Sequence, residues 1–190
     1  MSEPIRRIIA SPPDFKSKEV GIYFAQMENQ TERLTTDSRG ATVEELAWQP
    51  APGMNTIGML LGHIAEVEVW WMSILTDEPY DCDKVLGVPA DSDGMPLAAD
   101  AAPPPGLAGK NLAYYDGLLA RARANTRRQL AGADASILTR EQERTQPRHV
   151  LLNGHWILYH IVEHQAGHYY QINLLRHSYR TRSAAGAGTR

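Results

Sequence analysis

The sequence contains a single cysteine, Cys82, among 190 residues. One cysteine excludes an intramolecular disulfide and fits a reducing compartment. Cys82 lies in the acidic segment YDCDKV, which should not lower the pKa of its thiol, so a catalytic thiolate is not expected.

Long apolar runs are also missing. No segment reaches the roughly 18 consecutive apolar residues of a membrane span, and the first residues, MSEPIRRIIASPPDF, have no apolar run suited to a signal peptide. We therefore expect a cytoplasmic protein with no membrane contact.

An excess of one charge is absent as well. The formal net charge is -3, and the acidic and basic residues are interspersed, which argues against nucleic acid as a partner. The cluster Arg121, Arg123, Arg127 and Arg128 is expected to form the solvated face of a helix.

Four segments show helical periodicity, at about residues 17–38, 55–75, 110–131 and 150–179. Strand-like alternation is not sustained anywhere, so strands are not expected. Helices of about 20 residues, roughly 30 Å long, predict an all-α four-helix bundle. We expect one domain over residues 1–182 and a disordered tail over 183–190.

The connection between the second and third helices, residues 76–109, is rich in Pro, Gly, Asp and Ala. So long a connection is unusual in a compact domain and indicates a functional lid or a crossover strap.

Three histidines share the apolar face of the fourth helix, at positions 160, 164 and 168. An i, i+4 pair is about 6 Å apart along the axis and can bind one ion. His160 and His168 are about 12 Å apart, so the three histidines cannot all bind the same ion. His63, on the inward stripe of the second helix, is the expected third ligand. Spacing leaves open whether the pair is 160/164 or 164/168.

Three neutral imidazoles with an open position are typical of a catalytic transition-metal site, in which a bound water is acidified. The alternative for His63 alone is a purely structural role, as a core histidine whose ring nitrogens are hydrogen-bonded.

The segment HIVEH also matches H-x-x-E-H, the zinc signature of one class of metallopeptidase, with His160 and His164 as ligands and Glu163 as base. Glu163 lies about 100° from His164, toward the polar face. The chain is also too small to add an extended substrate cleft, so a peptidase is not favoured.

Two segments, ELAWQPAPGMNTIGMLLGHIAEVEVWW (45–71) and WILYHIVEHQAGHYYQINLLR (156–176), resemble the DinB/YfiT-like superfamily. The resemblance covers nearly the whole chain: a W-x-P turn, a second helix with one histidine and a last helix with two. It implies a four-helix bundle that binds a divalent transition metal, nickel or zinc, through three histidines, commonly as a homodimer. Carried onto this sequence, the ligands are His63, His164 and His168, and His160 is not one of them.

The motif that reads H-R-G-Q in many members is HYYQ here, so Gln171 is kept while Tyr169 and Tyr170 replace Arg and Gly. Gly167, on the same arc as the histidines, would leave room beside the lower pair. Glu66, three residues after His63 and about 60° away on the helix, is the candidate catalytic residue, placed to orient an imidazole or accept a proton. The alternative for Glu66 is a partly exposed carboxylate.

The resemblance further implies a thiol-dependent S-transferase that acts on a small-molecule substrate with a low-molecular-weight thiol such as mycothiol or bacillithiol. A metal-dependent hydrolase and a non-catalytic metal-binding or stress-response protein are the alternatives. A thiol with a charged tail would need cationic contacts, from the arginines of the third helix or from residues 76–109.

Overall fold

The computed structural model describes residues 7–145 and 149–186, with side chains described to residue 182. Its elements, in chain order, are α1 (Lys18–Ser38), α2 (Val43–Ala47), α3 (Ile57–Thr76), α4 (Cys82–Leu86), a 3-10 turn (Pro105–Leu107), α5 (Leu112–Leu130), α6 (Ser136–Thr139), β1 (Glu141–Arg144), β2 (Val150–Asn153) and α7 (Gly154–Gly186). The four long helices α1, α3, α5 and α7 confirm the predicted all-α bundle. Among the described residues, no helix is long and apolar enough to cross a membrane.

The long helices begin where side chains cap their free N–H groups. Ser17 accepts from the N–H of Val20 at the start of α1, and Thr56 accepts from the N–H of Met59 at the start of α3. Asn111 caps α5 in the same way. These starts lie within two residues of the predicted ones, because Ser, Thr and Asn at the cap position are strong local signals.

The bundle closes because α1 and α3 each pack against both α5 and α7. Two groups of buried side chains fill it. One lies between α3, α5 and the 76–109 connection, around Leu60, Ile64 and Tyr115. The other lies between α1, α3 and the first half of α7, around Phe24 and Met72.

The prediction that strands are absent is wrong in one place. Residues 141–144 and 150–153 form an antiparallel pair in which Glu141 faces Asn153 and Arg144 faces Val150. The last helix therefore begins at Gly154 and not at residue 150. Gly154 is needed there, because a Cβ at this position would lie 2.1 Å from the carbonyl oxygen of Ile137.

A second correction concerns the arginines of α5. Arg123 does not lie on a solvated face. It is 7% exposed and donates to both carboxylate oxygens of Glu68, at 3.0 and 2.9 Å, inside the bundle. Arg127 and Arg128 do lie at the surface, paired with Asp14 and Glu78.

The long connection is fastened to the turn before α3. The N–H of Gly53 and the side-chain amide of Gln49 both donate to the carbonyl oxygen of Ala101, each at 2.9 Å. Gly53 has φ +78°, and a Cβ there would lie 2.2 Å from the oxygen of Ala99. Between α3 and this attachment, the connection contains the short helix α4 and passes along α3 beside His63.

For the tail predicted from residue 183 onward, the backbone continues as α7 to Gly186, and residues 187–190 lie outside the described part of the chain.

Candidate metal centre

Three histidines from two helices meet in the cleft between α3 and α7. His63 comes from α3, and His164 and His168 come from consecutive turns of α7. One ring nitrogen of each lies within 4.8 Å of the others. The Nε2 atoms of His164 and His168 are 3.0 Å apart, and the ring of His63 is 5.0 and 5.1 Å from the two rings of α7, centroid to centroid.

Two side chains hold these rings in orientation. The Nδ1 of His63 is 2.6 Å from Oδ2 of Asp93, and the Nδ1 of His168 is 2.7 Å from Oε1 of Gln171. An imidazole that donates through Nδ1 keeps the lone pair on Nε2, the nitrogen available to a metal. Gln171, the retained residue of the HYYQ motif, therefore sets which nitrogen of His168 faces the cleft.

These residues fit a divalent transition metal. Two nitrogens bound to one ion at roughly 2.1 Å, with an angle of about 90–110° between the bonds, lie about 3.0–3.4 Å apart. The 3.0 Å separation of the two Nε2 atoms on α7 falls in that range. Imidazole nitrogens suit nickel, zinc, iron and copper, and they do not suit magnesium or calcium.

The two histidines of α7 remain neutral. Burial, together with the neighbouring imidazoles of His168, His63 and His160, lowers the pKa of His164 to about 3. Burial also lowers the pKa of His168. Both rings therefore offer a lone pair at neutral pH, the form a metal requires.

His160 lies one turn away from this cluster. Its Nδ1 is 2.9 Å from the carboxylate of Glu163, its ring stacks on Trp156 at 4.7 Å, and it meets the edge of Trp71 at 5.1 Å. Glu163 is exposed at the surface and is turned toward His160. The structure thus groups His164 with His63 and His168, and the H-x-x-E-H residues His160 and Glu163 pair with each other.

Glu66 is buried, at 5% exposure, and its hydrogen-bond donors lie in the connection between α3 and α5. It accepts hydrogen bonds from the N–H of Asp91 at 2.8 Å, the hydroxyl of Ser92 at 2.7 Å and the N–H of Asp93 at 3.1 Å. Burial raises the pKa of the Glu66 carboxyl. The carboxylate predicted to act on a histidine is thus hydrogen-bonded to the connection that carries Asp93.

A cavity of about 200 Å³ opens beside His63, between α3 and the connection. Its walls are His63, Glu66, Val67, Trp70, Tyr80, Asp91, Asp93 and Met95. Among the residues that the structure describes, no lysine or arginine lines it. The guanidinium of Arg144 lies over the ring of Trp70, one of these walls, at 4.4 Å. The cationic contacts expected from α5 are therefore not found here, whereas residues 76–109 do form one wall.

Gly167 lies in the helix beside His168 and is exposed, and a Cβ built there meets no atom within 4 Å. The space that the sequence suggested next to the lower histidine pair is open.

Cys82 does not belong to the cluster. It is 4% exposed, and burial raises the pKa of its thiol to about 11. Any thiol that reacts at this centre must come from outside the chain.

Asp93 is the site residue that the sequence did not reveal. The segment DSDG predicts a turn, but it lies within a long irregular stretch rich in acidic residues. No periodicity says which carboxylate reaches the second helix.

The bundle and the histidine cluster in its cleft define a DinB-like four-helix-bundle protein. Within that class, residues 23–181 match the sequence profile described as mycothiol S-transferase, and the chain belongs to this family. A comparison with curated proteins gave no match.

Proposed function

We propose that the protein is a metal-dependent S-transferase that joins a mycothiol-type low-molecular-weight thiol to a small electrophile, with His63, His164 and His168 as the metal ligands. The observation that carries the proposal is the convergence of these three imidazoles in a chain of the mycothiol S-transferase family. Nickel and zinc are the metals that the resemblance favours.

A divalent transition metal bound by these three histidines would lower the pKa of the low-molecular-weight thiol, so that thiolate would be available at neutral pH. The chain itself contributes orientation and electrostatics. Asp93 and Gln171 each accept from an Nδ1–H and thereby direct an Nε2 lone pair into the cleft. Burial keeps His164 unprotonated.

In the net reaction, the thiol sulfur bonds to an electrophilic carbon, and the leaving group departs with its bonding electron pair. The thiol proton is released. The chain's own thiol takes no part, because Cys82 is buried and its pKa is about 11. The partly exposed cleft on the Val67 and Trp70 side of His63 gives the substrates access.

The test combines elemental analysis of the purified protein with turnover of mycothiol and a chromogenic aryl halide. We expect a bound divalent metal and thiol consumption that is lost on chelation. His63→Ala, His164→Ala and His168→Ala should each lose the ion and the activity. His160→Ala should keep most of the metal.

Two results would contradict the proposal. A tightly bound metal without thiol-dependent turnover would favour the hydrolase or the non-catalytic metal-binding protein. Loss of the ion in His160→Ala, with retention in His168→Ala, would move the site up one turn of α7. Cytoplasmic localisation and the absence of nucleic-acid and membrane partners remain predictions from the sequence.

A further inference from the structure

The connection between α3 and α5 reaches the candidate metal centre through Asp93. Asp93, 3% exposed, reaches His63 with Oδ2, while its other oxygen, Oδ1, accepts from the N–H of Met95 at 3.0 Å. Both carboxylate oxygens are therefore engaged, and the rotamer of Asp93 is fixed by its own loop.

That loop is a tight turn. The N–H of Gly94 donates to the carbonyl oxygen of Asp91 at 3.1 Å, and these two residues have φ +72° and +60°. Asp tolerates the left-handed region better than most residues, and Gly adopts it freely. A turn held this way presents Ser92 and Asp93 toward α3.

Glu66 attaches the turn to α3. Its carboxylate accepts from three donors of residues 91–93, and it stands on the same helix as His63, one turn later. The turn also lies beside Gly62, where a Cβ would be 3.5 Å from Cβ of Asp93. His63, Asp93 and Glu66 thus form a closed loop of contacts that begins and ends on α3.

We propose that Asp93 is the positioning residue of His63, and that Glu66 acts on the centre only through Asp93, by holding the 91–93 turn against α3. This rests on the proposed function, since it assigns both carboxylates to the support of a metal ligand. A carboxylate behind a ligating imidazole fixes the tautomer and the ring orientation.

The first measurement is the affinity for Zn²⁺ of the full chain, by competition with a chelator and without any thiol. Loss of such a partner weakens binding by roughly 10–100-fold, and we expect this of Asp93→Asn. Glu66→Gln should also weaken binding, because one carboxylate oxygen is replaced by an amide NH₂ group, which cannot accept a hydrogen bond from the donors of the turn. Asp100→Asn, an exposed carboxylate in the same connection, is the matched control and should bind like the wild type.

The second measurement separates positioning from a general structural role. In the metal-free protein, the ¹⁵N shifts of the His63 ring report which nitrogen carries the proton. We expect the Nδ1–H form in the wild type and a mixture of tautomers in Asp93→Asn. Ser92→Ala removes one donor to Glu66 without changing any charge, and it serves where Glu66→Gln does not fold.

The double variant decides whether Glu66 acts through Asp93. We expect Glu66→Gln to cause no further loss of Zn²⁺ affinity in the Asp93→Asn background. An equal loss in both backgrounds, or unchanged affinity and tautomer in Asp93→Asn, would overturn the inference. Absence of thiol turnover in the wild type, with the Asp93 effects present, would overturn the transferase function and leave the inference standing.

Discussion

At His164, burial and three neighbouring imidazoles act in the same direction, against protonation. Its pKa falls from 6.5 in the unfolded chain to about 3 in the folded chain. The unfolded state therefore binds more protons than the native state between these values. By linkage, stability falls as the pH drops from 6.5 toward 3.

The metal-free protein should accordingly lose stability on acidification, and His164→Gln should lose less. A depressed pKa of this size contributes about 2 kcal/mol of the loss between pH 6.5 and 5, at 1.36 kcal/mol per unit. Urea unfolding in the presence of a chelator, at both pH values, measures it. His177→Gln, an exposed histidine of the same helix, is the control, and equal slopes for wild type and His164→Gln would contradict the prediction.

The sequence predicts single residues well where a regular helix determines their direction. The spacing of His164 and His168 on one helix, with His63 inward on another, was enough to propose the cluster, and the resemblance chose between the two possible pairs. The contact of Asp93 with His63 could not be predicted, because the direction of a side chain in an irregular loop does not follow from a periodic pattern. The role predicted for Glu66, to orient an imidazole or accept a proton, stays a prediction, and the sequence did not reveal its hydrogen bonds to residues 91–93.

At the scale of the elements, a buried polar network ties the four long helices together. Its members are Thr31 of α1, Glu68 of α3, Arg123 and Thr126 of α5 and Gln165 of α7. Glu68 accepts from Thr126 at 2.6 Å in addition to its two bonds from Arg123. Gln165 directly follows His164, so this network lies behind the candidate metal centre.

Glu68→Gln should therefore destabilise the fold strongly, because it leaves the buried Arg123 with only the half-exposed carboxylate of Glu28, at 3.9 Å. Breaking one side of a buried pair costs about 3–5 kcal/mol. Glu78→Gln, which removes the exposed partner of Arg128, should cost less than about 1 kcal/mol. Urea unfolding compares the two.

The double substitution Glu68→Leu with Arg123→Met should cost less than Glu68→Gln alone, because no unpaired charge remains. A double variant that loses the sum of both single effects would show that the hydrogen bonds, and not the ion pair, hold the network.

Gly53 gives a second test at this scale, since it joins the turn before α3 to the long connection. Gly53→Ala must place a Cβ 2.2 Å from a backbone oxygen at φ +78°. Strain of this kind costs roughly 1–3 kcal/mol, and hydrogen exchange of residues 91–101 should rise. Gly167→Ala, in an exposed helical position with no atom within 4 Å of the new Cβ, should instead stabilise by about 0.5–1 kcal/mol.

Protection of residues 91–101 that is unchanged in Gly53→Ala would show that the Glu66 contacts alone hold the connection.

The sequence located the long helices by their caps and periodicity. It missed the hairpin because four-residue strands are too short for a period-two pattern to stand out.

At the scale of the whole molecule, α7 exposes apolar side chains along one face. Trp156, Tyr159, Tyr170 and Leu174 are 39–65% exposed and lie within about 60° of arc on the helix. An exposed apolar stripe of this kind is typical of an interaction surface.

The homodimer implied by the resemblance remains a prediction, and this stripe is where we expect its interface. Leu174→Glu should shift the protein toward monomer in sedimentation velocity at micromolar concentration. Ile8→Glu, at an exposed isoleucine elsewhere, should leave the association state unchanged. A wild-type protein that sediments as a monomer would contradict the prediction.

The burial of Cys82 has a practical consequence for handling the protein. Disulfide and maleimide reagents are attacked by thiolate, and the chain's one thiol is 4% exposed with a pKa of about 11. In the folded protein, a colorimetric thiol reagent therefore reports an added low-molecular-weight thiol with no background from the chain. When the chain opens, one equivalent of thiol per molecule becomes reactive, so the same reagent, without added thiol, acts as a clock for unfolding.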